Sequence, residues 1–362
     1  MEKVSMREVI NRIPSLLNKT IEKKELYIVE ALMKNEEELQ EINEIIFVGS
    51  GTSLTSSQTA RKFVEKVTKL TTRTISSNEF LFDLSVYNPK AVYIFISQTG
   101  TSTSTREGQA RMQNLGYLTF SMSEKIENRL AQEGNNFIEM GCEVEEYPTR
   151  TIGYTTTVFT SMCMGIEIAR IRNTINKEEY TQHYENAKKA IANHRVVSDK
   201  TYEWLTFNKR KMLRSSSIIF VGGGELFGVA LEAAVKVWEI PQIASYAYEI
   251  EEFMHGPNFG LNSQHCVIVL NDNGVDKQRL LNLARWVKDV FKNGFVIGEE
   301  IIDQDDLSFH AGSEDFKFIE YSAATQILAY RLAEDGGRDL KAKHDNSVMA
   351  SYFSTHDKKE EK

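Results

Sequence analysis

The chain has 362 residues and a net charge of −8, and 41% of its residues are hydrophobic and 26% charged. This composition is typical of a globular protein, and the length allows two domains or one domain with two lobes. The acidic balance argues against a general nucleic-acid-binding surface. No apolar run approaches the roughly 20 residues that cross a membrane, and the N-terminus lacks the apolar segment of a signal peptide, so we expect a cytoplasmic protein.

Cysteine and histidine give no sign of a metal centre. The three cysteines, Cys142, Cys163 and Cys266, are far apart in the sequence, and their odd number argues against a disulfide framework. The seven histidines are not clustered at spacings that suit zinc. We therefore predict no metal and no cofactor.

The first part of the chain alternates between helices and strands. Residues 1–40 have the periodicity of amphipathic helices, in which Pro14 predicts a boundary. Short apolar strands then alternate with helices, most clearly at residues 45–48 and 91–96. This alternation predicts a parallel sheet that helices cover on both faces. Residues 155–207 carry no strand signal and predict a long helical connection.

The second part of the chain repeats the first. Residues 218–224 (IIFVGGG) match residues 45–51 (IIFVGSG) at an offset of 173, and a second strand and turn recur at an offset of 174. Two correspondences at nearly one offset predict an α/β fold made by internal duplication. The predicted organisation is an N-terminal helical segment (1–40), a first lobe (41–175), a helical connection (176–210), a second lobe (211–345) and a C-terminal tail (346–362).

Two turns of the first lobe are rich in hydroxyl groups. Residues 49–53 (GSGTS) and 97–102 (SQTGTS) each follow a predicted strand and precede a helix. The carboxyl ends of parallel strands meet at one edge of a sheet, and helix N-termini favour anions. The turns therefore predict a sugar-phosphate site, with ordinary helix caps as the alternative. They match neither a dinucleotide-binding fingerprint nor a Walker A loop.

The corresponding turns of the second lobe lack these hydroxyl groups. They are residues 222–226 (GGGEL) and 271–274 (NDNG). A requirement of the fold alone would keep similar residues in both copies. We infer that the first copy is specialised for a ligand.

Two further groups of residues are candidates for acid–base chemistry. Glu232, Lys236 and Glu239 share one face of a predicted helix, where the alternative is a solvated salt-bridge face. The apolar residues around them favour a partly buried acid–base pair. His255 follows several acidic residues and precedes Gly-Pro, where a structural role is the alternative.

These motifs together resemble those of proteins with two sugar isomerase (SIS) domains. The chain is similar to the isomerase half of glucosamine-6-phosphate synthase and to the fructosamine-6-phosphate deglycases. The resemblance implies two flavodoxin-like lobes, each a parallel sheet in a three-layer α-β-α arrangement. It spans roughly residues 40–345 and rests, in order, on Gly51-Thr52-Ser53, Ser97-Gln98-Thr99-Gly100 with Ser102, the segment from Glu232 through Lys236 to Glu239, and His255-Gly256-Pro257.

The resemblance also implies roles for single residues. Glu239 would move a proton between C1 and C2 of the sugar, with Lys236 beside it. His255 would assist ring opening or protonation, and in this family it is often supplied by the neighbouring subunit. The substrate and its phosphate would be bound by Thr52, Ser53, Ser97, Gln98, Thr99 and Ser102.

Two segments match the family less closely. Residues 151–157, which include Tyr154 and Thr155, resemble the loop that contacts the sugar. The segment Arg338-Asp339-Leu340-Lys341-Ala342-Lys343 resembles the context of the synthase's tail lysine but carries one extra residue. Either Lys343 or Lys341 would take that place.

The synthases also have a glutaminase domain whose second residue is a cysteine, whereas Glu2 stands here. We therefore expect no glutamine-dependent synthesis by this chain alone. The expected reaction removes an amine or amino acid from a ketosamine 6-phosphate. An amino-sugar-phosphate isomerase or deaminase is one alternative, and a non-catalytic phosphosugar sensor is another. The resemblance implies a homodimer or larger oligomer with a shared active site.

Overall fold

The computed structural model describes residues 4–147, 149–340, 347–352 and 355–356. The chain forms two compact units. We call Ser15–Gln182 together with Lys343–Lys362 the first lobe, and Met1–Pro14 together with His183–Ala342 the second lobe. The N-terminal helical segment is thus divided between the lobes, and most of the helical connection belongs to the second.

A five-stranded parallel sheet forms the centre of the first lobe. Its strands are β1 (Glu44–Gly49), β2 (Thr71–Ser76), β3 (Ala91–Ile96), β4 (Thr119–Ser123) and β5 (Phe137–Glu139), in the spatial order β2-β1-β3-β4-β5. Every residue of β1 and β3 is buried, because helices cover both faces of the sheet. The helices up to the end of this lobe are α1 (Met6–Glu22), a π-helical turn (Glu25–Val29), α2 (Glu30–Met33), α3 (Glu36–Glu41), α4 (Thr52–Thr68), α5 (Ser77–Phe82), α6 (Thr103–Asn114), α7 (Arg129–Gln132) and α8 (Ile152–Ile171).

The second lobe is built on a second five-stranded parallel sheet. Its strands are β6 (Ser217–Gly222), β7 (Ala244–Glu249), β8 (His265–Asn271), β9 (Gly294–Gly298) and β10 (Leu307–Ser308), in the order β10-β9-β8-β6-β7. The remaining helices are α9 (Lys177–Leu213), α10 (Glu225–Glu239), α11 (Ile250–Met254), a 3₁₀ turn (Pro257–Gly260), α12 (Lys277–Phe291), α13 (Phe318–Asp335) and, in the first lobe, α14 (Ser347–Tyr352). Among the described residues, no helix combines the length and apolarity needed to cross a bilayer.

The predicted duplication and α/β fold are confirmed. The order β7-β6-β8-β9-β10 repeats the order β2-β1-β3-β4-β5, which is the flavodoxin-like arrangement. Even the backbone recurs where the first helix of each repeat begins. Gly51 has φ 59° and ψ −130°, and its counterpart Gly224 has φ 55° and ψ −127°. Glycine suits both turns because residues with a Cβ rarely adopt a positive φ.

Two local predictions were wrong. Pro14 lies inside α1 instead of ending it, since burial of Val9, Ile10, Ile13 and Leu17 outweighs the hydrogen bond that proline removes. Residues 152–157 form the first turns of α8, whereas the resemblance had implied a loop. Helical structure continues through them because the whole segment is buried.

Candidate functional site

The two hydroxyl-rich turns line one cavity in the first lobe. β1 pairs with β3 in parallel, with Val48 opposite Phe95, so the turns that follow these strands meet at the same edge of the sheet. The cavity has a volume of about 470 Å³. Its polar lining includes all six residues predicted to bind the substrate and phosphate, namely Thr52, Ser53, Ser97, Gln98, Thr99 and Ser102.

Two helices begin at this cavity. Helix α4 starts at Thr52, and Ser102 is the N-cap of α6. The backbone N–H groups of a first helical turn have no partner within the helix, and the helix dipole places a partial positive charge there. No carboxylate is present among the described residues that line the cavity. The cavity therefore favours a negatively charged group.

The turn after β3 is held by its own backbone and by one asparagine. The Gly100 amide donates to the carbonyl of Ser97 at 3.0 Å, and Asn128 Nδ2 donates to the carbonyl of Gln98 at 3.0 Å. Gly100 has φ +66°, and a Cβ added there would lie 2.5 Å from the Cβ of Asn128. The turn thus needs glycine at this position, both for its backbone conformation and for space.

The Gln98 side chain is fastened to a buried carboxylate that the sequence did not reveal. Glu145 accepts hydrogen bonds from the amides of Thr151, Ile152 and Gly153 at 2.8, 2.9 and 3.2 Å. Its second oxygen also accepts a bond from Gln98 Nε2 at 3.3 Å. Glu145 therefore caps the N-terminus of α8 and orients Gln98 at the same time.

The other two predicted substrate residues lie deeper. Tyr154 and Thr155 are buried in α8, and neither lines the cavity. The Tyr154 hydroxyl is 2.8 Å from Oγ1 of Thr59, so it links α8 to α4. From the same helix, Gly153 and Thr157 line the cavity instead.

In the second lobe, α10 carries the predicted acid–base residues. The Lys236 ammonium lies 2.6 Å from Oε2 of Glu239 and 3.4 Å from Oε1 of Glu232. The side chains of Lys236 and Glu232 are only 1% and 3% exposed, whereas Glu239 is 41% exposed. The buried ammonium of Lys236 thus holds the carboxylate of Glu239 at the protein surface, where a ligand can contact this carboxylate.

His255 lies at the C-terminal end of α11, as predicted. Its Nδ1 is 2.9 Å from the carbonyl of Glu251, and only a protonated nitrogen can donate to a carbonyl. Nε2 is therefore the nitrogen that can accept a proton. The ring is 69% exposed. Lys341 and Lys343 lie outside the described residues.

Comparison with known proteins places this geometry in a family. The sequence profile of the SIS domain matches residues 211–290, which form the core of the second lobe. The match identifies a SIS domain within residues 211–290. The first lobe repeats the topology of this SIS lobe, so the predicted resemblance to proteins with two such domains is confirmed.

Similar proteins cover most of the chain. A glutamine–fructose-6-phosphate aminotransferase [isomerizing] from Haemophilus ducreyi is 23% identical over 328 residues, which are 86% of this chain and 52% of the relative. The chain thus spans about half the length of the curated relatives it matches.

Two solved structures share the fold along nearly the whole chain. A protein from Clostridium difficile 630, provisionally assigned as a phosphosugar isomerase, has a TM-score of 0.87 at 21% identity and covers 97% of this chain and 99% of its own. The C-terminal domain of glucosamine-fructose-6-phosphate aminotransferase from Francisella tularensis has a TM-score of 0.81 at 20% identity, with 93% and 97% covered.

In the second lobe, the ammonium group of a lysine occupies the position that corresponds to the anion site of the first lobe. Lys317 lies 2.9 Å from Glu225 and 2.5 Å from Asp272, in the two turns that correspond to the hydroxyl-rich turns, and it also contacts Glu314. Burial alone would lower the pKa of Lys317, but the carboxylates of Glu225 and Asp272 outweigh burial and raise it. Turns that carry carboxylates and hold a lysine between them do not favour phosphate.

The role of Gln98 in ligand binding by the cavity of the first lobe can be tested by a substitution in α8. A Cβ added to Gly153 would lie 1.9 Å from Oε1 of Gln98. Gly153→Ala should push Gln98 away from Glu145 and weaken binding of sorbitol 6-phosphate, an unreactive phosphosugar, by about tenfold. Isothermal titration calorimetry measures this affinity. Gly165→Ala, the same change in the same helix but away from the cavity, should keep it, and unchanged affinity in Gly153→Ala would contradict the assigned role of Gln98.

Proposed function

We propose that this protein removes an amine or amino acid from a ketosamine 6-phosphate and releases an aldose 6-phosphate. The observation that carries the proposal is the cavity of the first lobe, in which both hydroxyl-rich turns and two helix N-termini surround a space free of carboxylates among the described residues. Hydroxyl and amide groups suit both a phosphate and the hydroxyls of a sugar.

The proposed chemistry needs one mobile proton at C1 and C2. In a ketosamine, C2 is a carbonyl and C1 carries the amine. The Glu239 carboxylate takes a proton from C1 and delivers it to C2, while the oxygen at C2 gains a proton and the nitrogen loses one. The ketone at C2 thereby becomes a hydroxyl group, and the C1–N bond becomes an imine. Water then adds to C1, and cleavage of the C1–N bond releases the amine and an aldehyde. No electrons are gained or lost overall, so the reaction requires no redox cofactor.

His255 and Lys236 support this proton transfer in different ways. The free Nε2 of His255 can exchange a proton with the sugar oxygens during ring opening and enolisation. Lys236 is buried and bonded to Glu239 at 2.6 Å, so we assign it a positioning role. We further propose a homodimer or larger oligomer in which His255 serves the neighbouring subunit.

A second candidate function uses the same proton transfer. The curated relatives are named glutamine–fructose-6-phosphate aminotransferases [isomerizing]. This similarity favours an amino-sugar-phosphate isomerase or deaminase that acts with free ammonia. A phosphosugar sensor without catalysis is the remaining alternative.

Product analysis separates these functions. We expect the purified protein to convert fructoselysine 6-phosphate, or another amino-acid adduct of glucose 6-phosphate, into glucose 6-phosphate and the free amine. Glucosamine 6-phosphate, tested at the same concentration, should release little ammonia. The opposite pattern would establish the isomerase or deaminase function. Binding of sorbitol 6-phosphate without turnover of either class would establish the sensor.

A further inference from the structure

Two basic side chains line the phosphosugar cavity from outside the hydroxyl-rich turns. Arg150 lies just before α8, and His356 lies in the C-terminal tail. All the other described polar residues that line the cavity are uncharged. Within the described part of the chain, these two are therefore the only basic residues of the lining.

The Arg150 guanidinium makes no hydrogen bond or ion pair with the other residues that the structure describes, although a guanidinium offers five N–H donors. Its charge acts on Glu124, whose amide donates to the carbonyl of Gln98 at 3.0 Å. Burial raises the pKa of Glu124, and the charge of Arg150 only partly opposes this effect. A guanidinium beside helix N-termini is suited to bind an anion.

His356 is brought to the cavity by backbone pairing. The Thr103 amide donates to the carbonyl of Thr355 at 3.3 Å, and His356 forms an antiparallel bridge with Ser102. Residues 355–356 thus lie against the N-terminus of α6. Burial lowers the pKa of His356 from 6.5, and the charge of Arg150 lowers it further. Both effects favour the neutral form of the ring.

We propose that Arg150 and His356 bind the phosphate group of the ligand together, so that the C-terminal tail forms part of the anion site. This inference rests on the proposed function only in taking the ligand to be a phosphosugar. Arg150 supplies a permanent positive charge, and its guanidinium is a bidentate hydrogen-bond donor. His356 supplies a charge that the bound phosphate itself induces, since a dianion favours the protonated ring.

Other charged groups near the tail do not take over this role. On α6, the Arg106 guanidinium is bonded to Glu133 at 2.7 Å and does not line the cavity. Glu124 lies beside Arg150 and is not among the lining residues. Arg150 is thus the charged group that acts on His356 in the described structure.

Titration calorimetry with sorbitol 6-phosphate tests the assignment of Arg150. We expect Arg150→Gln to weaken binding by about tenfold to a hundredfold. Arg150→Lys should weaken it less, because lysine keeps the positive charge but cannot donate two parallel hydrogen bonds as a guanidinium does. Arg106→Gln removes the same charge nearby and should leave the affinity unchanged. Equal losses in Arg150→Gln and Arg106→Gln, or no loss in either, would overturn the proposal.

The pH dependence tests His356 separately. We expect His356→Gln to weaken binding about fivefold at pH 6 and not at pH 8.5, because the ring adds charge only when it is protonated. Wild-type binding at pH 7 should take up protons, seen as a dependence of the binding enthalpy on the buffer. A pH-independent effect of His356→Gln would overturn the role of this residue. These outcomes depend on binding alone, so failure of turnover would refute the proposed reaction without affecting them.

Discussion

Replacing Glu239 by glutamine is expected to lower turnover of the ketosamine phosphate by about a thousandfold or more, because an amide cannot carry a proton between C1 and C2. The change keeps the shape of the side chain and one oxygen that can accept the bond from Lys236, now 2.6 Å long. Binding of sorbitol 6-phosphate should therefore stay within about twofold of wild type. Steady-state assays and calorimetry measure the two effects.

The matched control is Glu203→Gln, which removes an exposed carboxylate from α9 in the same lobe. It should retain full activity and full affinity. Full activity in Glu239→Gln would refute the proton-transfer mechanism. Loss of sorbitol 6-phosphate binding would instead show that the carboxylate contributes to the ligand site itself.

The same variant tests whether the active site is shared. If His255 serves the neighbouring subunit, Glu239→Gln and His255→Asn damage the same site from different chains. Mixing the two inactive variants under conditions that exchange subunits should then restore part of the activity, since some sites receive both intact residues. A mixture as inactive as its components would contradict sharing.

Replacing Lys236 by methionine is expected to cost about 3–5 kcal/mol of unfolding free energy, the range found when one partner of a buried ion pair is removed. The ammonium is 1% exposed, and Glu232 beside it is 3% exposed. Methionine fills the space but leaves the Glu232 carboxylate buried without its charge partner. Activity should fall as well, because Glu239 loses the group that orients it.

Tryptophan fluorescence is well placed to measure this loss. The chain has three tryptophans, Trp204, Trp238 and Trp286, and all of them lie in the second lobe. Urea unfolding followed by fluorescence therefore reports on the lobe that contains Lys236. The double variant Glu232→Leu with Lys236→Met should recover most of the stability but not the activity. A single variant as stable as wild type would contradict the buried ion pair.

The sequence revealed those parts of the site that depend on local pattern. The strands before residues 49–53 and 97–102 are apolar and uninterrupted, and parallel pairing then brings the two turns to one edge. The helix spacing of Glu232, Lys236 and Glu239 likewise placed them on one face. Such features follow from strand order and helix periodicity, which short-range sequence rules capture.

The parts that were missed depend on contacts between distant segments. Glu145 caps α8 from outside the helix, and no capping box marks it in the sequence. Arg150 and His356 are more than 200 residues apart and meet only because the tail pairs with Ser102. The helix boundary predicted at Pro14 was wrong because the burial of one face of α1 outweighed the tendency of proline to end a helix.

The Lys317 cluster gives the two halves of the duplication different sources of stability. In the second lobe the positive charge belongs to Lys317, which is part of the chain, so its stabilising effect does not depend on the concentration of a ligand. If the proposed phosphosugar binds in the first lobe, it supplies the counter-charge there and raises the unfolding free energy by about 2.7 kcal/mol at a hundred times the dissociation constant. The stability of the first lobe then depends on the ligand concentration, whereas that of the second lobe does not.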